Sequence, residues 1–206
     1  MTKNVVIRTV VGVAVLVFVV GAWIKSGQLD LGWLKYFSIA VLTATAVLAL
    51  WDIWLWRLDI IQLIPGVPRS VRGTWQGTLT SFWVDPETDK SPDPKTVYLV
   101  VRQSSSHVSV TLLTNESRST SSLAAVSEVD GTSQLTYLYL NRPDARFEHR
   151  SRIHHGSTAL IASGNKKQRR LKGRYWTDRD TKGELDFTKH NTQIVDDFDE
   201  AGTLFK

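Results

Sequence analysis

The chain is 206 residues long, carries a formal net charge of +5 and contains eight tryptophans but no cysteine. The missing cysteines exclude a disulfide framework and a thiol nucleophile. The small charge surplus excludes a strongly basic surface as the main feature of the molecule.

Two apolar runs come first, Val5–Ile24 and Tyr36–Trp56, joined by the eleven residues Lys25–Lys35. Each run is about 20 residues long, which at a rise of about 1.5 Å per residue matches a hydrocarbon core of roughly 30 Å. The connector is too short to fold by itself, so residues 1–56 are predicted to form a transmembrane helical hairpin spanning residues 5–24 and 36–56. A cleaved signal peptide fits less well: the first run exceeds the roughly 7–15 residues of a signal core, and no small-residue cleavage motif follows it. Trp23, Trp33 and Tyr36 at one level and Trp51, Trp54 and Trp56 at the other are placed as interfacial anchors. Lys3, Arg8, Arg57, Arg69 and Arg72 flank one side against Lys25 and Lys35 on the other, so both termini are predicted to be cytoplasmic. Ala40/Ala44 and Thr45/Ala49 have the small-xxx-small spacing that lets helices approach closely. Asp52 lies near the cytoplasmic end, within reach of Arg57 and headgroups.

Residues 57–71 read as a linker, apolar but interrupted by Pro65, Gly66 and Pro68, which stop a helix. Residues 72–190 then read as strand after strand. Gly73–Trp83 alternates, with Trp75, Gly77, Leu79, Ser81 and Trp83 on one face. The insert VDPETDKSPDP carries three prolines and cannot be a strand. Thr96–Gln103, His107–Asn115, Ser117–Glu128, Ser133–Asn141, Arg150–Ser163, Gln168–Thr177 and Gly183–Thr188 follow, separated by short turns. The predicted fold is an N-terminal two-helix transmembrane hairpin followed by an all-β, roughly eight-stranded antiparallel β-barrel, whose interior has room for one small ligand. Residues 191–206 form an acidic tail, with Asp196, Asp197, Asp199 and Glu200 read as a solvated end.

Catalysis and metal binding find no support. H-E-x-x-H, a phosphate-binding glycine loop and a nucleophile elbow are all absent. His154 and His155 are adjacent, so on a strand they point to opposite faces and cannot share a metal. Neither an enzymatic activity nor a cofactor is expected. The basic run Lys166–Arg174 reads as a hairpin tip in solvent, too small for DNA or RNA to be an expected partner.

Binding has better candidates, because aromatic and polar side chains recur on single strand faces. Tyr137, Tyr139 and Asn141 share one face of their strand, with Leu138 and Leu140 opposite. Tyr175, Thr177 and Arg179 share a face, and Arg174, Trp176 and Asp178 share the other. Thr114, Ser117 and Ser119 supply small hydroxyls, and Trp75 reads as a structural plug at one end of the barrel. If the polar-aromatic faces point inward, rings for bases and arginines for phosphates suit a nucleotide-like anion.

The motifs G-T-W-x-G-T-L (Gly73–Leu79), T-x-E-S-x-S (Thr114–Ser119), Y-x-Y-x-N-x-P (Tyr137–Pro143), H-x-S-x-x-L (His155–Leu160) and G-R-Y-W-T-D-R (Gly173–Arg179), in this order behind two spans, carry a resemblance. The chain resembles the two-transmembrane, β-strand-rich effectors of bacterial cyclic-oligonucleotide-based antiphage signalling (CBASS). That resemblance implies a minimal β-barrel that binds a cyclic dinucleotide, followed by self-association of the hairpins, disruption of the bacterial inner membrane and cell death. Thr114, Ser117, Ser119, Tyr137, Tyr139, Asn141, His155, Arg174, Tyr175, Thr177 and Arg179 are the expected ligand contacts, chosen by strand face with the motifs in support. Two alternatives stay open: a membrane-tethered, lipocalin-like carrier or sensor of an apolar ligand, and an adaptor that recruits a protein partner.

Overall fold

The computed structural model describes residues 11–12, 15–16, 18–21, 23–24, 31–64, 66–149, 151–164 and 168–206; of residues 31–37, 40 and 43 it describes the backbone alone. The chain divides into two compact units, residues 1–58 and 59–206.

In the first unit, helix α1 runs Leu31–Ile53, so the last five residues of the expected connector already belong to the helix. A 3-10 turn at Leu55–Arg57 follows it. The apolar residues of α1 are spread around the helix, not gathered on one face, and Ile39, Leu42, Val47, Leu50 and Ile53 are exposed. Thr45, one of the small residues, donates its hydroxyl to the Val41 carbonyl at 2.8 Å. Among the described residues no helix is long and apolar enough to cross a membrane. Half of the expected first span, most of the connector, and the side chains of Trp33, Tyr36 and Ala40 lie outside the described residues.

The second unit is a closed barrel of eight antiparallel strands in sequence order. They are β1 (Gly73–Ser81), β2 (Lys95–Gln103), β3 (Val108–Leu113), β4 (Ser117–Val129), β5 (Thr132–Pro143), β6 (His154–Gly164), β7 (Arg169–Thr177) and β8 (Lys182–Asn191). The sixth strand begins at His154, later than the expected Arg150. Asp130 and Gly131 between β4 and β5 both take positive φ, 50° and 72°, the geometry that an Asp-Gly two-residue turn supplies. Two register shifts interrupt the alternation. Ser122 is an extra residue in β4, and Thr188 is one in β8.

Along most strands the inward side chains change character from one end of the barrel to the other. Leu99, Leu135, Leu160, Leu171 and Phe187 fill one half without solvent exposure. Trp75, 2 % exposed, closes that end. Its indole Nε1 donates to the Val71 carbonyl at 2.9 Å, and its ring lies 4.3 Å from that of His190. The chain before β1 crosses the same end: Gln103 accepts from the Val71 amide at 2.8 Å and donates to the Arg69 carbonyl at 3.1 Å, while Arg69 donates to the Gly164 carbonyl at 2.7 Å. Much of the expected linker is therefore fastened to the barrel floor, with a 3-10 turn at Ile61–Leu63 held by Gln62 to the Pro68 carbonyl and the Ser70 amide.

The acids Asp196, Asp197, Asp199 and Glu200 are exposed, as expected, but the tail also carries a helix that docks on the barrel. Helix α2 (Phe198–Thr203) packs Phe198, Ala201 and Phe205 over Tyr98, Val100 and Leu113 on the outside of β2 and β3. Its acids serve local geometry. Asp197 caps the helix by accepting from the Glu200 amide at 2.7 Å, and Glu200 accepts in return from the Asp196 amide at 2.9 Å. Arg102 and Asp196 pair at 2.7 Å beside them.

Burial holds the His190 imidazole below its ordinary pKa despite its bond to the Arg72 carbonyl. The unfolded chain takes up this proton near pH 6.5, whereas the native state resists it until lower pH. Stability is therefore fully present above about pH 6.5 and declines as the pH falls through and below that value. Thermal unfolding followed from about pH 8 to about pH 5 should show that decline, and His190→Gln should lessen the slope.

Candidate functional site

At the end opposite Trp75 the barrel is open, and a cavity of about 500 Å³ occupies its upper half. This lies within the range of roughly 300–1,000 Å³ usual for small-molecule sites. β5 contributes Tyr139 and Asn141, and β7 contributes Tyr175 and Thr177. Thr114 and the start of β4 add hydroxyls at Ser117 and Ser119. Arg179 stands on the turn after β7. Eight of the residues expected from the sequence thus line one cavity.

Three do not. His155 and Arg174 lie exposed on the outer face, because His154 on β6 and Tyr175 on β7 are the inward members of those pairs. Adjacent residues on a strand must part to opposite faces. Tyr137 points inward but lies beneath the cavity, fully buried beside Thr158. Leu138, opposite it on β5, is 47 % exposed, so the polar-aromatic faces are the inner ones.

Sequence reasoning did not select Leu79, Ser81, Trp83, Lys95, His154 or Thr158, all of which line the cavity. Alternation from Trp75 already placed Leu79, Ser81 and Trp83 on a common face. Thr158 follows from His154 by the same rule. Asp93 and Lys95 come from the proline-rich insert and its exit, where no strand periodicity applies.

Two glycines set the aromatic rings. Gly156 faces Tyr139 and Gly183 faces Tyr175 in strand register. A Cβ on Gly156 would run into the tyrosine ring and hydroxyl, and one on Gly183 would come within 2.6 Å of the Tyr175 ring. Each tyrosine therefore lies across a neighbouring strand that lacks a side chain. Burial pushes the pKa of both phenols up, so they stay neutral donors.

The cations stand at the rim. Lys95 pairs with Glu116 at 3.0 Å, both partly solvated. Arg179 is carried by the turn Thr177–Thr181, in which the two threonine hydroxyls meet at 2.6 Å and Asp178 accepts from the His155 amide at 2.9 Å. The β3–β4 turn is held similarly, with the Thr114 hydroxyl accepting from the Ser117 amide at 2.9 Å and from the Glu116 amide at 3.1 Å. Inside, burial lowers the His154 pKa, and the Arg152 carbonyl lies 3.0 Å from its Nδ1. Among the described residues no group of three or more acidic, histidine or cysteine side chains is placed to hold a metal ion. The site can stack flat rings, hydrogen-bond polar edges and receive anions at its mouth.

The family described as "Cap15, cyclic dinucleotide receptor domain" matches residues 67–189, more than half of the chain and nearly all of the barrel. A protein of Staphylococcus schleiferi, CD-NTase-associated protein 15, is 27 % identical over 160 residues, which cover 78 % of this chain and 82 % of that protein.

Replacing Gly156 by alanine should displace the Tyr139 ring and cost about 1–3 kcal/mol through overpacking. Urea denaturation with near-ultraviolet circular dichroism would register both effects, and an unchanged spectrum and midpoint would remove the assigned role of Gly156.

Proposed function

This chain belongs to the Cap15 cyclic dinucleotide receptor family, and on that premise we propose that the open half of its barrel binds a cyclic dinucleotide and that the chain is a membrane effector of CBASS antiphage defence. The observation that carries the reading is the cavity itself. Tyr139 and Tyr175 offer stacking faces, Asn141 and the hydroxyls offer polar edges, and Lys95 and Arg179 bring positive charge to the lining for the phosphates. No catalytic step is part of the proposal.

The membrane part rests on the sequence. Two apolar runs of bilayer length precede the barrel, and a helix apolar all round, as α1 is, favours lipid or other helices over water. With the flanking charges read by the positive-inside rule, both termini and the barrel face the cytoplasm of a bacterial inner membrane. Ligand binding would then drive self-association and membrane disruption, which requires the assembled state to hold the ligand more tightly than the single chain does. A carrier of apolar ligands is the weaker reading, since Leu138 and Trp176 face outward and the leucines of the lining share it with Asn141, Arg179 and a set of hydroxyls.

A thermal-shift and calorimetric screen of the detergent-solubilised chain against cyclic di- and trinucleotides tests this. Saturation a hundredfold above Kd should stabilise the native state by about 2.7 kcal/mol. Tyr139→Ala should lose about 1–3 kcal/mol of binding, a factor of roughly 5–150, with the stacked base, and Arg179→Ala about 1.5–3 kcal/mol with its charged hydrogen bonds. Wild-type affinity in both variants would sink the assigned site. Deleting residues 1–56 should leave binding intact and abolish toxicity in bacteria, and a toxic truncated chain would dismiss the hairpin as effector.

A further inference from the structure

The seam between β3 and β4 is the shortest in the barrel. Thr111–Leu113 pair with Arg118–Thr120, three residue pairs, where every other seam has six or more. The ladder stops where β4 bulges. There the Ser121 hydroxyl, not a backbone carbonyl, accepts from the Val110 amide at 2.9 Å. Beyond the bulge, Leu123–Val129 keep their pairing with β5, but among the described residues no strand pairs with their other side. A bulge that ends pairing and bends its strand leaves an edge of this kind.

Such an edge presents backbone N–H and C=O groups that another strand can take up. Natural proteins guard their edges with lysine, proline or a covering element. Here the stretch Ser122–Val129 contains neither lysine nor proline, and Glu128 is its one charge. Helix α2 covers β2 and β3 instead. Leu123 is 65 % exposed, and Ala125, Ser127 and Val129 are exposed with it on the outer face.

We propose that the free edge of β4 is an interface between two copies of this chain, paired antiparallel about a two-fold axis at Ala125. The inference names a surface for the self-association in the reading above, and it rests on that part of the reading alone. The edge complements itself. Residues directly opposite each other in an antiparallel pair share a face, so the axis must pass through a residue. At Ala125 it sets Leu123 against Ser127 and Ala125 against itself on the outer face, with Ala124 against Val126 on the inner one. Glu128 falls opposite Ser122, so no two charges meet. Leu123 and its exposed register partner Leu138 on β5 carry the contact beyond the backbone. The axis stands perpendicular to the sheet, so both copies turn the same outer face to one side, as two chains anchored in one bilayer require.

Cross-linking of the full chain in phosphatidylethanolamine–phosphatidylglycerol vesicles tests the surface. It is run without nucleotide and with cyclic di-AMP, cyclic di-GMP, the mixed guanylate–adenylate and cyclic di-UMP in turn. The chain has no cysteine, so a single introduced one reports its own neighbour. On oxidation Ala125→Cys should give a disulfide-linked dimer, because facing side chains on paired strands come within reach of each other. Thr136→Cys, exposed opposite Ala125 on β5, is the control. Its counterpart would lie about 14 Å away, three strand spacings, and its dimer band should be absent. Assembly is read separately by energy transfer between donor-labelled and acceptor-labelled chains. Ala125→Lys and Ala125→Glu should each lose the transfer through like charges at the axis, and mixing the two variants should restore it. Variants that had merely failed to fold would not recover on mixing. Assembly that survives Ala125→Lys, or a dimer band from Ala125→Cys no stronger than from Thr136→Cys, overturns the edge and leaves self-association standing. A wild-type chain that shows no transfer under any condition overturns both.

Discussion

Closure of β8 onto β1 is the constraint from which the rest of the barrel follows. The pairing runs from Thr74 with Asn191 to Ser81 with Gly183, and it leaves no open edge at the seam. Once the sheet is closed, every second residue of each strand is committed to an interior of limited width. That interior must be filled or lined, and its two halves differ. Leucines, phenylalanine and tryptophan pack one half, while serines, threonines, tyrosines and Asn141 line the other. A single alternating sheet thus holds a stabilising core and a cavity end to end.

The floor makes the cavity possible. Trp75, His190 and the residues that lead into β1 seal the apolar end with directional bonds to Gln103 and Gly164. The open end has no such seal, so its inward groups face water or a ligand. The polar side chains there cost little while solvated, and they become selective once a ligand displaces the water. Gly156 and Gly183 decide how far the two tyrosines lie across the mouth, and the braced turns around Thr114 and Thr177 hold Glu116 and Arg179 at its edge.

The outside of the barrel is asymmetric too. Over β2 and β3 the helix α2 covers Tyr98, Val100 and Leu113, which explains why β2 reads as a nearly continuous apolar run with both faces buried. On the far strands Leu138 and Trp176 remain exposed, and charge pairs such as Arg170–Asp186 and Lys172–Glu184 cover much of the remainder. Exposed pairs of this kind contribute little to stability, about 0–1 kcal/mol each. Their effect is to keep that face soluble.

By itself the sequence determined the strands, their number and their antiparallel order, because period-two alternation and turn residues are local signals that survive without tertiary context. The proline-rich insert and the plugging role of Trp75 were legible for the same reason, as was the gathering of Tyr139, Asn141, Tyr175, Thr177 and Arg179 on common faces. Only the tertiary structure decided which face turned inward: it chose His154 over His155 and Tyr175 over Arg174, and it set the depth that places Tyr137 below the cavity. Bulges at Ser122 and Thr188 flip the alternation within a strand, and no local pattern announces them. The docking of the tail was hidden for a related reason. Its acids are conspicuous in the sequence, yet Phe198, Ala201 and Phe205 gain an apolar partner only once β2 and β3 lie side by side, and that surface exists only after the barrel has closed.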